Sequence, residues 1–249
     1  MTRFNAPLAL LALLAVPAEA ETRALLVGVS DYTVLDADLK GPADDVRLMA
    51  GVLAARGVAP GAMVALTSDA SGLDPAIATG QPTRAAILQA MVALETGAAP
   101  GDTVVFYFSG HGAEAPDLSG DEGGGYDEIL LPADAAGWKG AIGAVENAIM
   151  DDELQDWAQG VLARGVKLVG LIDACHSATG FRAVGGAGVP RGLGAEALSI
   201  PAGVASAPPG PPAPPLTGEF VFLYSSQSDQ RSFEYPLADG SGWHGEFTL

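Results

Sequence analysis

The chain has a single cysteine, Cys175, among 249 residues, so no internal disulfide can form and no cysteine-rich zinc site can be built. Basic residues are scarce as well: 12 lysines and arginines stand against 30 acidic residues, a formal charge of -18. A polyanion would be repelled by that balance, which argues against the nucleic-acid-binding classes. The charge suits cationic partners and metal ions, and above all keeps the protein soluble. Histidines number only three, and aromatic residues make up 6% of the chain. Past the N-terminus no apolar run is long enough to cross a bilayer.

What the N-terminus does have is the pattern of an export leader. Arg3 gives a positive start, Leu8 to Val16 form a short apolar run, and Ala18-Glu19-Ala20 offers the small residues a signal peptidase reads. Residues 1–20 are therefore expected to be a signal peptide, with a mature chain from Glu21 that is periplasmic or secreted and free of the membrane. In an oxidising compartment a lone thiol is a liability unless it is structural or catalytic.

The remaining length suits one domain with a sizeable core. Apolar runs and helical spacings alternate along it. Arg23 to Val29 reads as a strand, Pro42 to Arg56 as a helix ended by Gly57, and Met63 to Leu66 as a second strand. Thr83 caps a helix to about Glu95, and Thr103 to Phe108 is a nearly continuous apolar run, as in a strand covered on both faces. Ile129 to Leu131 reads as a short strand or hairpin arm, Asp151 or Asp152 opens a helix through Leu162, and Val166 to Ile172 is a further strand. This order predicts an α/β fold with a mainly parallel central sheet and helices on both faces.

Composition changes after residue 182. Residues 183–217 are rich in Gly, Ala and Pro, including Pro208-Pro-Gly-Pro-Pro-Ala-Pro-Pro, and are expected to form an exposed, partly extended linker. Order returns over residues 218–249 with a strand pattern from Glu219 to Ser225. The Gly245-Glu-Phe-Thr-Leu ending reads as the start of a helix, so this last region is expected to be incomplete.

Chemistry concentrates at two strand ends. Thr103-Val-Val-Phe-Tyr-Phe runs into Ser109-Gly-His-Gly, and Val169-Gly-Leu-Ile runs into Asp173-Ala-Cys-His-Ser. Neighbouring parallel strands set their C-terminal ends side by side, so His111 and Cys175 can meet as a base and a nucleophile. His176 adjoins Cys175, and extended geometry would point it to the opposite face; His244 lies in a Gly-rich stretch near the end. Asp173, two residues before Cys175, shares its face in a strand, where a carboxylate can hold a guanidinium or ammonium group.

Four segments together carry a family resemblance: Leu25-Leu-Val-Gly-Val-Ser-Asp-Tyr, Phe108-Ser-Gly-His-Gly, Tyr126-Asp-Glu-Ile-Leu-Leu-Pro-Ala-Asp and Asp173-Ala-Cys-His-Ser. Weaker matches are Ser225-Ser-Gln-Ser-Asp-Gln and His244-Gly-Glu-Phe-Thr. The chain resembles the caspase-like cysteine peptidases of family C14, in particular bacterial metacaspases; Ala178 stands where that family commonly has Gly. The resemblance implies a caspase-like three-layer sandwich, with residues 21–182 corresponding to the large-subunit region and 218–249 to the small-subunit region. It implies Cys175 as nucleophile and His111 as the proton-transfer group. The Gly112 and Cys175 amides become natural oxyanion donors, and Asp173, Asp45 and Ser226 substrate-binding residues for a basic P1 side chain. Cleavage is expected after Arg or Lys, not after Asp.

No cofactor is required for that chemistry. Calcium is compatible with it, because Asp127, Asp151 and Asp152 resemble positions that supply its oxygen ligands. Asp151-Asp152-Glu153 also reads as an ordinary acidic helix start, and Arg182 stands where related calcium sites can carry Asp. Residues 117–128 do not fit an EF-hand register. The alternative to a peptidase is a catalytically idle caspase-like interaction module. Two arginines of the Gly/Pro-rich region, Arg182 and Arg191, are also places where an enzyme preferring basic residues would cut itself, against the plainer reading of incidental arginines in a tolerated insertion.

Overall fold

The computed structural model describes residues 19–122, 124–175, 188–226 and 231–249. Nearly all of the expected leader lies outside the described residues, as do His176, Arg182 and most of the Ser225-to-Gln230 run. In chain order the elements are β1 (Thr22–Gly28), α1 (Pro42–Ala55), β2 (Met63–Thr67), β3 (Ala78–Gly80), α2 (Arg84–Gly97), β4 (Thr103–Ser109), β5 (Gly112–Pro116), β6 (Tyr126–Leu130), β7 (Trp138–Lys139), β8 (Ala144–Val145) and β9 (Ile149–Met150). Then come α3 (Asp151–Ala163), β10 (Lys167–Asp173), β11 (Val189–Pro190), β12 (Gly192–Leu193), β13 (Phe220–Tyr224), β14 (Phe233–Pro236) and β15 (Trp243–Gly245). No helix among the described residues is long and apolar enough to cross a membrane.

Six strands form the central sheet in the order β13-β10-β4-β1-β2-β3, and every neighbouring pair is parallel. Alternation within β1 and β4 distributes side chains to two cores. Leu25, Val27, Phe106 and Phe108 pack with Ile87 and Met91 of α2 and with Trp157 and Val161 of α3. Ala24, Leu26, Val105 and Tyr107 face the other way, onto Val46, Ala50 and Leu53 of α1. Each fully buried Leu or Phe contributes roughly 1.5–3 kcal/mol, so a sheet covered on both faces has a strong reason to place α1 on one side and α2 with α3 on the other. This is the three-layer α/β arrangement expected from the sequence.

The helix ends follow local chemistry. The Thr83 hydroxyl accepts from Ala86 N at 3.3 Å and opens α2. At α3 the expected acidic cap is displaced by one residue: Met150 is the capping residue, and the Glu153 carboxylate reaches back to Met150 N at 3.1 Å. Asp151 and Asp152 lie in the first turn, where their charge suits the helix dipole.

One expectation is corrected. The Gly/Pro-rich stretch is not an exposed linker throughout: β11 and β12 lie within it, and Arg191 and Leu198 are fully buried. Composition signals a shortage of apolar side chains, but Arg191 buries by ion pairing instead, while Pro208 to Leu216 stay exposed or half-buried. After β15, which pairs antiparallel with β14, the chain turns, with Thr248 N and Leu249 N both donating to the Gly245 carbonyl at 3.1 and 3.3 Å. β11 pairs antiparallel with the other side of β14, whereas β12 pairs parallel with β5, the strand that leaves His111.

Candidate active site

Register brings the two chemistry-bearing loops together. Ser109 at the end of β4 lies opposite Gly28 of β1 and Asp173 of β10, so His111 and Cys175 leave adjacent strands at the same level. Both are buried, at 3% and 0% exposure. The His111 backbone N–H donates to the Tyr32 hydroxyl at 2.8 Å, and its ring Nε2 lies 2.8 Å from the Ala37 carbonyl. A carbonyl can only accept, so Nε2 carries the hydrogen and Nδ1 keeps a lone pair. That Nδ1 is buried without a hydrogen-bond partner among the described residues. Burial pushes the His111 pKa down to about 4, opposed by the Ala37 and Arg191 backbones and reinforced by the Arg191 charge. At neutral pH the ring is therefore an uncharged base.

Around Cys175 two backbone amides converge. Gly112 N and Cys175 N both donate to the Arg191 carbonyl oxygen, each at 3.1 Å. Two donors aimed at one oxygen are the arrangement that stabilises a tetrahedral oxyanion. Gly112 is required by close approach, since a Cβ there would lie 2.6 Å from the Cys175 carbonyl oxygen. The next residue along the bound segment, Gly192, packs directly on the cysteine: a Cβ on it would sit 3.3 Å from Sγ and 3.1 Å from Cys175 Cβ.

The Arg191 side chain enters an acidic pocket from which solvent is excluded. Its Nη2 lies 2.7 Å from Asp45 Oδ2 and 3.4 Å from Glu234 Oε2, and its Nη1 lies 3.2 Å from Asp173 Oδ2 and 2.7 Å from Ser109 Oγ. Burying a guanidinium costs several kcal/mol on its own, which only close carboxylates offset. Here burial acts against the charge, but Asp173 and Asp45 outweigh it and hold Arg191 firmly protonated. The carboxylates are in turn oriented by neutral donors. Asp45 accepts from Ser109 Oγ and Gly245 N, Asp173 from Ser232 Oγ and Thr248 Oγ1, and Glu234 from Lys40 N and Gly41 N. Burial raises the Asp173 pKa, with Arg191, Thr248 and Ser232 working against that. His244 Nδ1 lies 2.9 Å from Asp45 Oδ1, and this hydrogen bond raises the imidazole pKa. Three carboxylates thus surround one guanidinium.

Of the residues expected at the site, His111, Gly112, Cys175, Asp45 and Asp173 surround one backbone segment. Ser226 is buried after β13 with its hydroxyl unpaired among the described residues, and no described hydrogen bond joins it to Arg191. Sequence reasoning missed Ser109, Ser232, Glu234 and Thr248 as pocket residues and His244 as a partner of Asp45. His244 and Thr248 lie in a motif whose match was weak, and Glu234 had no local signal.

The acidic residues considered for calcium lie elsewhere, at the junction of β6 and α3. Asp127 is 1% exposed, and neither of its carboxylate oxygens has a hydrogen-bond partner among the described residues. Burial, with the charges of Asp151, Asp117, Asp152 and Asp121, pushes it up to about 7; burial likewise pushes Asp151 to about 6. Asp151 itself accepts from Glu128 N at 3.2 Å. Hard carboxylate oxygens with unmet charge fit calcium by chemistry, yet no three metal-ligating side chains converge on one point among the described residues. Asp117 is structural, since its carboxylate accepts from the backbone of Ser119, Gly120 and Glu122.

Comparison with known proteins identifies the family. The family described as "Metacaspase, peptidase C14 domain" matches residues 22–183. The chain belongs to the metacaspase family. Its metacaspase domain is 38% identical over 158 residues to Metacaspase-1 of Pyricularia oryzae, covering 63% of this chain and 36% of that protein. It is 41% identical over 156 residues to Metacaspase-1 of Eremothecium gossypii, covering 62% of this chain and 31% of that protein. The chain thus spans about a third of the length of the curated relatives it matches. The crystal structure of protein GSU0716 from Geobacter sulfurreducens shares the fold, with a TM-score of 0.61 over 92% of this chain and 79% of that one at 22% identity. The match to the metacaspase domain ends before Arg191, Glu234 and His244, so these parts of the site come from chain beyond the matched region.

Proposed function

We propose that this metacaspase is a cysteine endopeptidase that hydrolyses polypeptides after arginine or lysine through Cys175 and His111. One observation carries the reading: a guanidinium sits against Asp45 and Asp173 while the carbonyl of the same residue accepts from Gly112 N and Cys175 N. A residue so held has its side chain in a cation-selective pocket and its scissile carbonyl polarised beside the only thiol. Arginine can use both carboxylates with its fork, whereas lysine brings one point charge. In the reaction the neutral His111 Nδ1 takes the thiol proton, and the Cys175 sulfur attacks the carbonyl carbon. The oxyanion stays on the two amides, and the imidazolium returns the proton to the leaving amine. Water then hydrolyses the thioester.

No step is assigned to a metal. A calcium ion at the β6–α3 junction would take carboxylate oxygens from Asp127, Asp151 or Asp152 and would neutralise charge there. The N-terminal leader pattern supports export to the periplasm or beyond.

The test is covalent labelling with a peptidyl-arginine chloromethyl ketone. Cys175 should be alkylated in folded Arg191→Ala, whose pocket is open, far faster than by the aspartyl analogue, and Cys175→Ala should remain unlabelled. A folded chain that is unreactive even when Arg191 is replaced by alanine is an interaction module, not a peptidase.

A further inference from the structure

The proline-rich run 208–215 takes no part in the chemistry proposed for Cys175, yet it is held against the body in one orientation. Residues 204–217 form neither helix nor strand. Each proline fixes φ at about −65° and biases the residue before it to extended backbone, so the run is a polyproline II helix with three residues per turn. Burial follows that period. Val204, Ala207, Ala213 and Leu216 are half-buried, and Gly210, in the same row, donates its N–H to the Gly120 carbonyl. Ala207 N donates to the Asp117 carbonyl at 2.7 Å, and Gln155 Nε2 of α3 donates to the Pro214 carbonyl at 3.1 Å. Thr217 N closes the far end on Gln159 Oε1 at 3.3 Å. The inward row contains no proline.

The prolines themselves all face solvent: Pro208, Pro209, Pro211, Pro212, Pro214 and Pro215 are exposed. On a threefold helix they fall into two adjacent rows, 208-211-214 and 209-212-215, that run side by side for roughly 20 Å. Paired rows of proline rings are what aromatic-lined grooves for polyproline II accept. Contacts to the 117–125 loop and α3 already order this ridge, so a partner would not have to order it on binding. The neighbouring surface gives the ridge a sign. A depression lined by Ala213, Pro214 and Leu216 is lined on its other side by Asp121, Asp152 and Asp156, with no basic residue. No lysine or arginine occurs in sequence between Arg191 and Arg231.

We propose that residues 208–215 are a docking ridge for a partner domain that reads polyproline II through an aromatic groove with a basic rim. The two proline rows fill the groove, and the three aspartates beside them face the rim. An acidic rim would be repelled, so the charge beside the ridge separates partners that the prolines alone would not. Salt screens exposed charges over about 10 Å at 0.1 M, so added salt should weaken the complex without abolishing the proline contacts. The proposal does not depend on the peptidase reading, because neither Cys175 nor His111 takes part in it.

The experiment titrates the full chain, as Cys175→Ala so that no probe can be cut, with two purified probes by isothermal titration calorimetry. The probes are a WW domain and a Src-homology-3 domain, each made with lysines at the groove rim and, for comparison, with glutamates there. At least one lysine-rimmed probe should bind, at least tenfold more tightly than its glutamate-rimmed form. Replacing Pro211 and Pro212 together by alanine should weaken that binding at least tenfold, whereas Pro201→Ala, an exposed proline outside the ridge, should leave it unchanged. Gly120→Ala should weaken it severalfold with every proline in place, because a Cβ there would lie 2.4 Å from the Pro208 carbonyl oxygen and push the ridge off the body. Binding that survives loss of Pro211 and Pro212, or of the probe's groove aromatics, is charge attraction alone and overturns the proposal. Equal binding by both rims, unchanged binding by Gly120→Ala, or no binding by either lysine-rimmed probe overturns it as well. None of these outcomes touches the labelling of Cys175, so the peptidase reading stands or falls separately.

Discussion

Replacing Asp45 by asparagine takes one charge out of the pocket while keeping the shape of the side chain. In the intact chain Asp45 Oδ2 lies 2.7 Å from the guanidinium, closer than either other carboxylate, and is held by Ser109 and Gly245. A hydrogen bond to a charged group contributes about 1.5–3 kcal/mol, and each 1.36 kcal/mol is tenfold in rate. The expected loss in kcat/KM for an arginyl substrate is therefore roughly 10- to 150-fold. The assay compares Asp45→Asn with Asp45 intact, both in an Arg191→Ala background so that the pocket is open to added peptide. The rate of Cys175 alkylation by iodoacetamide, which needs no pocket, serves as the control and should change little. A first-turn helix acid with no pocket role would cost only about 0.3–1 kcal/mol of stability and would not touch arginyl turnover. Retained arginyl kcat/KM in a folded Asp45→Asn protein, or an equal fall in both rates, refutes the pocket.

Other outcomes are open to measurement. His111 is uncharged in the fold with a pKa near 4, whereas an unfolded histidine titrates near 6.5. As pH falls from about 6.5 to about 4 only the unfolded chain gains this proton, so stability should drop by up to about 3 kcal/mol. His111→Asn should flatten that acid limb in pH-dependent denaturation, and an unchanged limb would discard the buried neutral ring. Gly112→Ala should destabilise the fold by about 1–3 kcal/mol and slow arginyl labelling of Cys175, because the added methyl meets the Cys175 carbonyl. Calcium should raise the melting temperature of wild type and not that of Asp127→Asn; equal shifts in both would remove Asp127 from a calcium site.

By itself the sequence determined the frame of the site. Continuous apolar runs report burial on both faces, and alternation of strand and helix leaves a parallel sheet as the economical arrangement. Two motifs at strand ends can then sit side by side, and the strand order does put Ser109 beside Asp173 and with them His111 and Cys175. The pocket was legible only in part. Asp173 could be read from its two-residue spacing to Cys175, and Asp45 from the family resemblance, but Glu234 and Ser232 had no local pattern. Arg191 was visible only as a basic residue in a Gly/Pro-rich stretch. Composition treats such a residue as solvated, because burying one charge alone is prohibitive. Tertiary structure reverses that by bringing Asp45 to it from 146 residues away and Glu234 from 43. Periodicity reports local burial, whereas an ion cluster exists only after distant segments converge, so folding alone decided that Arg191 would fill its own chain's pocket.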